Sequence, residues 1–129
     1  DTTWLDGDWS VCWCKTGSGT LRNGSVHARG LKGPVRAKVP GEVHWDLVRA
    51  GIIKEPLTGL NAKSCRWVEE YEWWYRREFF WKPQPLHKRV ELVFDGLDTT
   101  ADVYLNGRFV GSHNNCFTPC RIDITGHIL

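Results

Sequence analysis

The stretch "DTTADVYLNGRFVGSHNNCFTP", residues 98–119, contains the clearest folding signal in the chain. Two short runs of mixed apolar and polar residues, 101–105 and 108–111, flank the dipeptide Asn106-Gly107. This dipeptide favours a two-residue type I′ turn, because both central residues of that turn need a positive φ angle. The sequence therefore predicts a tight antiparallel hairpin that is followed by a polar corner.

Further short segments with strand-like alternation lie on both sides of this hairpin. They are bounded by Gly, Pro and Asn, as strands usually are. These predicted strands cover residues 9–14, 34–39, 67–81, 87–95 and 121–125. Several short strands in one chain of this size are typical of an all-β sandwich or jelly roll.

One short helix interrupts the strand pattern. Val43, Leu47 and Val48 are spaced to form one helical face, and Gly51 is a natural stop after it. Two stretches rich in Gly, Pro or Asn, residues 15–33 and 53–66, are predicted to be loops or irregular segments. The fold class predicted from the residues is all-β with one short helix.

Composition limits the function classes. The 129 residues suit a single domain, and 17 Lys and Arg against 15 Asp and Glu give a net charge of +2. The charges are interspersed, so no basic stripe indicates a nucleic-acid partner. No apolar run reaches the roughly 20 residues that span a bilayer, and no signal peptide is recognisable, so no membrane partner is expected. Eight Trp residues need a role, because indole rings serve both cores and sugar stacking.

The five cysteines are an odd number, so at least one thiol is not paired within the chain, which favours a reducing, cytoplasmic compartment without excluding a secreted or lysosomal one. Cys12, Cys14, Cys116 and Cys120 would be the ligands of a four-thiolate zinc site. Their spacing differs from the usual zinc knuckle, and buried unreactive thiols are the favoured interpretation. Neither a metal site nor a cofactor is expected, and the scattered histidines suggest no catalytic triad.

Five blocks of the sequence, taken in order, carry a family resemblance. The blocks are "LDGDWSV" (5–11), "VPGEVHWDLVRAGII" (39–53), "WWYRREF" (73–79), "LVFDGLDTTADVYLNGRFVGSHNNCFTP" (92–119) and "DIT" (123–125). Together they resemble the N-terminal domain of glycoside hydrolase family 2 enzymes, with the β-mannosidase type as the nearest branch. They extend over nearly the whole chain, which makes the resemblance far more specific than one short motif.

The resemblance implies a galactose-binding-like, jelly-roll β-sandwich over residues 1–129. In the family this domain precedes immunoglobulin-like domains and a TIM barrel that holds two catalytic glutamates, which retaining glycosidases keep about 5 to 5.5 Å apart. The family's acid/base glutamate follows an asparagine, and this chain has no Asn-Glu step. The family domain also continues past "DIT" to a Trp-Asp-Trp-Gly segment. We therefore expect a non-catalytic piece of a longer enzyme, incomplete at its C-terminus.

Candidate sugar-binding residues are polar or aromatic side chains near loops. Asn61 lies in the 53–66 loop, where the family commonly has a different, aromatic-Gly-Asp-Asn-Glu pattern, and its alternative role is a turn residue. Trp73 and Trp74 can stack on a pyranose, or one can fill the core while the other meets a second domain. Asn114 and Asn115 can bind hydroxyl groups or cap a loop.

The expected function is thus that of a non-catalytic domain of a β-mannosidase-type hydrolase, whose parent removes terminal β-linked mannose or a related sugar. Its partners would be the immunoglobulin-like and barrel domains and a carbohydrate. Two alternatives remain open: a stand-alone carbohydrate-binding module, and a structural domain that docks through an exposed aromatic face.

Overall fold

A computed structural model describes residues 3–41, 43–52, 70–81, 89–94, 101–114 and 119–126. These residues form two compact units, one of residues 1–20 with 26–80 and one of residues 21–25 with 81–129. In chain order the elements are β1 Gly7–Lys15, β2 Thr20–Arg22, β3 Ser25–His27, β4 Lys32–Val39, α1 Val43–Arg49, β5 Tyr71–Arg76, β6 Glu91–Phe94, β7 Ala101–Leu105, β8 Arg108–His113 and β9 Cys120–Asp123. The described chain is thus mostly strand with one short helix, as the sequence predicts.

The first unit is built on a three-stranded antiparallel sheet in the order β4-β1-β5. Its inner face buries Val11 and Trp13 of β1 beside Ala37 of β4. The Trp13 ring stacks on Trp73 of β5, with ring centroids 5.2 Å apart, and Leu47 of α1 packs against the same cluster. The alternation of apolar residues along β1 therefore supplies one wall of this core and the helix supplies another.

Helix α1 confirms the predicted helical spacing. It ends where the amide of Gly51 donates to the carbonyl of Val48 and the amide of Ile52 donates to the carbonyl of Leu47. These bonds satisfy carbonyls that the end of a helix leaves without intrahelical partners. The helix also carries Asp46, which is fully buried.

The prediction that residues 15–33 form an irregular loop is wrong. Strands β2 and β3 pair within that stretch as a two-stranded sheet. Asn23 and Gly24 join them with φ angles of 51° and 76°. The Asn-Gly signal that marks the hairpin at 106–107 thus also marks this one, but the flanking runs of three residues are too short to stand out among the surrounding glycines.

The second unit contains two strand pairs, β6 with β9 and β7 with β8. Cys120, Ile122 and Ile124 form the buried centre of this unit. Partly buried apolar side chains pack against them from the other strands: Val90, Leu92, Phe94, Val103, Leu105 and Val110. Gly111 of β8 lies so close to this core that a Cβ atom there would come within 3.0 Å of Ile122 Cδ1.

The predicted hairpin at Asn106-Gly107 is confirmed. Strands β7 and β8 pair antiparallel on either side of it, and the two turn residues have φ angles of 52° and 80°. The strand predicted over 67–81 is shorter than expected, because β5 ends at Arg76. The predicted loop at 53–66 lies outside the described residues. In the segments that are described, no helix is long and apolar enough to cross a membrane.

Candidate functional site

The candidate site is an open hollow beside the β7–β8 hairpin. Its volume is about 410 Å³, and it is lined by Ala101, Asp102, Ser112, His113 and Asn114. We refer to this feature as the β7–β8 hollow. Within this lining Asp102 pairs directly with Ser112, and side chains paired across antiparallel strands project from the same face of the sheet.

Three polar side chains of the β7–β8 hollow are exposed and without partners among the described residues. Asp102, Ser112 and Asn114 are exposed, and within the described part of the chain their side chains have no hydrogen-bond or ion-pair partner. Together they offer a carboxylate acceptor, a hydroxyl group that donates and accepts, and an amide that does both. This mixture suits a ligand that carries many hydroxyl groups.

An aromatic pair extends the same face of the hairpin. Tyr104 lies two residues after Asp102 on β7, and Phe109 on the neighbouring strand β8 pairs with Tyr104. The two rings meet edge to face, with centroids 5.6 Å apart and planes inclined at 66°. Both rings are substantially exposed, Tyr104 at 38% and Phe109 at 54%. The outer face of the hairpin therefore carries an aromatic surface next to the β7–β8 hollow.

Trp73, a predicted sugar-binding residue, contributes to the core of the first unit. It is partly buried and stacks on Trp13, whose own ring is 3% exposed. Within the described residues, the Nε1–H group of Trp13 is buried and has no hydrogen-bond partner. This placement accords with the core alternative for Trp73, and sugar binding by this residue stays a prediction.

Trp74 lies on the opposite face of the same sheet. Its Nε1–H donates to Glu72 Oε2 at 2.5 Å, and Glu72 Oε1 accepts from the amide of Gly17 at 2.6 Å. The only side-chain donor of this tryptophan is therefore engaged. A sugar-binding role for Trp74 likewise stays a prediction.

Of the three asparagines that the sequence predicts to bind sugar, one lies among the residues that the structure describes. Asn114 lines the β7–β8 hollow. Asn61 and Asn115 lie outside the described residues. The structure thus brings one of the five predicted site residues into the hollow and places Trp73 and Trp74 elsewhere in the fold.

The described cysteines are free thiols. Cys14 and Cys120 are buried and Cys12 is half-buried. Burial raises the pKa of the Cys12 thiol above its ordinary value of 9.0, and the neighbouring Cys14 adds to that rise. Among the described residues no group of His, Cys, Asp or Glu is arranged to hold a metal ion. Cys65 and Cys116 lie outside the described residues, so the four-thiolate hypothesis cannot be placed in full.

Sequence reasoning did not single out Asp102, Ser112 or the Tyr104–Phe109 pair. The signal was present, because Asp102 and Tyr104 alternate with the inward-facing Val103 along β7. Once the Asn-Gly turn is set, residues that alternate with the core positions must lie on the outer face. The missing step was to pair the outer residues of the two strands across the turn.

The described residues are rich in strands and contain one short helix, which is the architecture of a β-sandwich domain. The chain belongs to the glycosyl hydrolase 2 galactose-binding domain-like family, whose model matches residues 20–129. Its fold is therefore the galactose-binding-like β-sandwich that the resemblance implied.

Known relatives and a solved structure agree with this family. The chain is 45% identical over 87 residues to β-mannosidase B of Emericella nidulans, which covers 67% of this chain and 10% of that relative. It is 38% identical over 95 residues to β-mannosidase A of Aspergillus aculeatus, which covers 74% of this chain and 10% of that relative. The crystal structure of β-D-mannosidase from Dictyoglomus thermophilum superposes with a TM-score of 0.77 at 31% identity, over 97% of this chain and 14% of that one.

The chain spans about a tenth of the length of the curated relatives that it matches. It corresponds to the N-terminal domain of β-mannosidase-type enzymes, and those relatives contain other regions that this chain does not match. Among the described residues that line the β7–β8 hollow, Asp102 is the one carboxylate.

Proposed function

We propose that this chain is a non-catalytic N-terminal domain of a retaining β-mannosidase-type glycosidase. The parent enzyme hydrolyses terminal β-linked mannose, or a related sugar, from oligosaccharides. Immunoglobulin-like domains and a TIM barrel are its partners within the parent, and the barrel holds the two catalytic glutamates. The domain supports the barrel and lines one wall of its sugar pocket.

One observation carries the proposal more than any other. A β-D-mannosidase chain of known structure matches 97% of this sequence with only 14% of its own length. The catalytic carboxylates of the parent are thus expected in the remainder. The absence of any Asn-Glu step in these 129 residues agrees with that division.

The first experiment uses an antibody raised against this chain. In an extract of the source organism we expect a band several times heavier than the chain, and immunodepletion should remove activity on an aryl β-mannoside. Serum from an unimmunised animal is the control. A band at the mass of the chain itself, or undiminished activity after complete depletion, would reject the proposal.

A second experiment examines the isolated chain. Purified chain should not hydrolyse an aryl β-mannoside, because a retaining mechanism needs two closely placed carboxylates. Turnover that persists through successive purification steps would contradict a non-catalytic role.

A stand-alone carbohydrate-binding module is the second candidate. The exposed side chains of Asp102, Ser112 and Asn114, which have no partner in the described part of the chain, favour it, because such a module binds sugar through its own surface. The antibody experiment separates the two candidates, since only the module predicts a band at the mass of the chain.

A further inference from the structure

We propose that the outer face of the β7–β8 hairpin is an oligosaccharide-binding subsite, separate from the catalytic carboxylates of the parent. The polar β7–β8 hollow binds the hydroxyl groups of one sugar unit, and the Tyr104–Phe109 pair packs against the next. The identity of the sugar, a β-linked mannoside, rests on the proposed function. The subsite itself rests on the geometry of the hairpin.

The polar half of the subsite has the chemistry of a sugar site. Asp102 and Ser112 face each other across the two strands, and Asn114 follows two residues beyond Ser112. A sugar hydroxyl group can donate a hydrogen bond to the Asp102 carboxylate and accept one from the Asn114 amide. These three side chains can therefore bind neighbouring hydroxyl groups both as acceptors and as donors. Because the trio has no partner in the described part of the chain, binding breaks no existing side-chain hydrogen bond.

The aromatic half supplies the apolar contact that a pyranose needs. Sugar rings present C–H groups on one face, and these pack on aromatic side chains. Phe109 has no polar atom in its side chain, yet more than half of its surface is exposed. Its partner Tyr104 lies in the same register row, and the two exposed rings contact each other edge to face.

The dimensions and charge also suit an oligosaccharide. Asp102 and Tyr104 occupy successive rows on one face, about 7 Å apart at the usual rise per strand residue, and Asn114 follows the end of β8. Among its described residues the lining includes one acidic side chain and no Lys or Arg, which disfavours phosphate and nucleic acid as ligands. A short neutral chain of sugar units is the ligand that matches both halves.

The test is calorimetric titration of the chain with β-1,4-linked mannotriose and with maltotriose. We expect saturable binding of mannotriose in the range of about 1 mM, because an open site buries little ligand surface. Phe109→Ala should weaken binding by about tenfold through the lost ring contact. Asp102→Ala should weaken it at least as much, because it removes a charged hydrogen-bond acceptor.

Two matched controls separate the subsite from general surface effects. Phe80→Ala removes a fully exposed ring elsewhere, and Asp8→Ala removes an exposed strand carboxylate elsewhere. Both controls should bind like the unmodified chain. All four substituted side chains are exposed, and circular dichroism of each variant verifies that the fold is retained.

Each outcome bears on the proposal. No saturable binding at about 10 mM sugar, or equal losses in the controls, would overturn the subsite even if the antibody experiment identifies a β-mannosidase. Binding of maltotriose as tight as that of mannotriose, with both losses at the hairpin intact, would support the subsite and count against its assignment to β-mannosides.

Discussion

Replacing the buried Asp46 by alanine should cause a larger loss of stability than replacing any other polar side chain that the structure describes in the first unit. Asp46 lies in α1 with an exposed fraction of 0%. Its Oδ1 accepts from the backbone amide of Lys38 in β4 at 3.0 Å and from the guanidinium of Arg49. Its Oδ2 accepts from the hydroxyl of Tyr75 in β5 at 3.4 Å. One carboxylate thus connects the helix to both outer strands of the sheet.

The three partners contribute unequally to the expected loss. The Lys38 amide, whose hydrogen bond is partly buried, would be left without its acceptor, which costs up to about 1 to 3 kcal/mol. Arg49 is 49% exposed and returns to water, so its ion pair adds only about 0 to 1 kcal/mol. The Tyr75 bond is long and the residue is 39% exposed, so its loss adds little. We therefore expect Asp46→Ala to lower the free energy of unfolding by about 2 to 4 kcal/mol.

Urea denaturation followed by tryptophan fluorescence measures this loss, because Trp13 and Trp73 stack in the core beside α1. Asp8→Ala is the matched control, since it removes an exposed carboxylate from β1 and should change stability by no more than about 0.5 kcal/mol. Tyr75→Phe should cost less than Asp46→Ala. A loss below about 0.5 kcal/mol for Asp46→Ala would refute the assignment of Asp46 as the link between helix and sheet.

Three further predictions concern the two cores and a thiol. Leu47→Ala should lower the free energy of unfolding by about 2 to 5 kcal/mol, because Leu47 is fully buried. The control Ile52→Ala, at an exposed side chain, should have little effect. Equal losses for the two variants in urea denaturation would contradict the assignment of Leu47 to the core. Gly111→Ala should lower the free energy of unfolding by about 1 to 3 kcal/mol, because the new methyl group crowds Ile122. In the double variant, Ile122→Val should reduce this loss, since valine lacks the Cδ1 atom that is crowded. Strictly additive losses would disprove the contact. The raised pKa of Cys12 should make its alkylation rate continue to increase above pH 9.0, beyond the range of a free thiol. Because the raised pKa belongs to the folded state, its contribution to stability is fully present below pH 9.0 and is lost as the pH rises through the folded-state value. A rate that levels off like that of a short cysteine peptide would contradict the burial of this thiol.

Local signals in the sequence predicted the parts of the fold that local chemistry determines. The Asn106-Gly107 turn was predictable because few dipeptides accept two successive positive φ angles. The helix was predictable because Val43, Leu47 and Val48 keep helical spacing. The five-block resemblance added the fold family, which periodicity alone does not reach.

Features that depend on distant parts of the chain were not predictable in the same way. The role of Asp46 requires the amide of Lys38 and the hydroxyl of Tyr75, which are 8 and 29 residues away in the sequence. No periodic pattern reports that a polar helix residue will be buried. The stacking of Trp13 on Trp73 depends equally on strand register between β1 and β5, which becomes visible only when the sheet is assembled.

The candidate site was missed because sequence patterns identify the inner face of a strand better than the outer one. The core requires apolar side chains at Val103 and Leu105 of β7. It places no such requirement on the alternating, outward-facing positions Asp102 and Tyr104. From the sequence alone these positions are therefore predicted only to be exposed. Whether they form part of a binding site depends on which residues pair with them on the neighbouring strand.

The exposed aromatic pair on that outer face needs a reason other than folding. Tyr104 and Phe109 together expose roughly 150 to 200 Å² of ring surface, far below the 800 Å² or so that each partner buries in a stable protein interface. A docking domain would therefore need many further apolar residues on the same face, where the structure instead places Asp102, Ser112 and Asn114. A small ligand with both C–H and hydroxyl surfaces makes use of the rings and the polar groups together, and for this reason an oligosaccharide fits the β7–β8 hairpin better than another protein domain does.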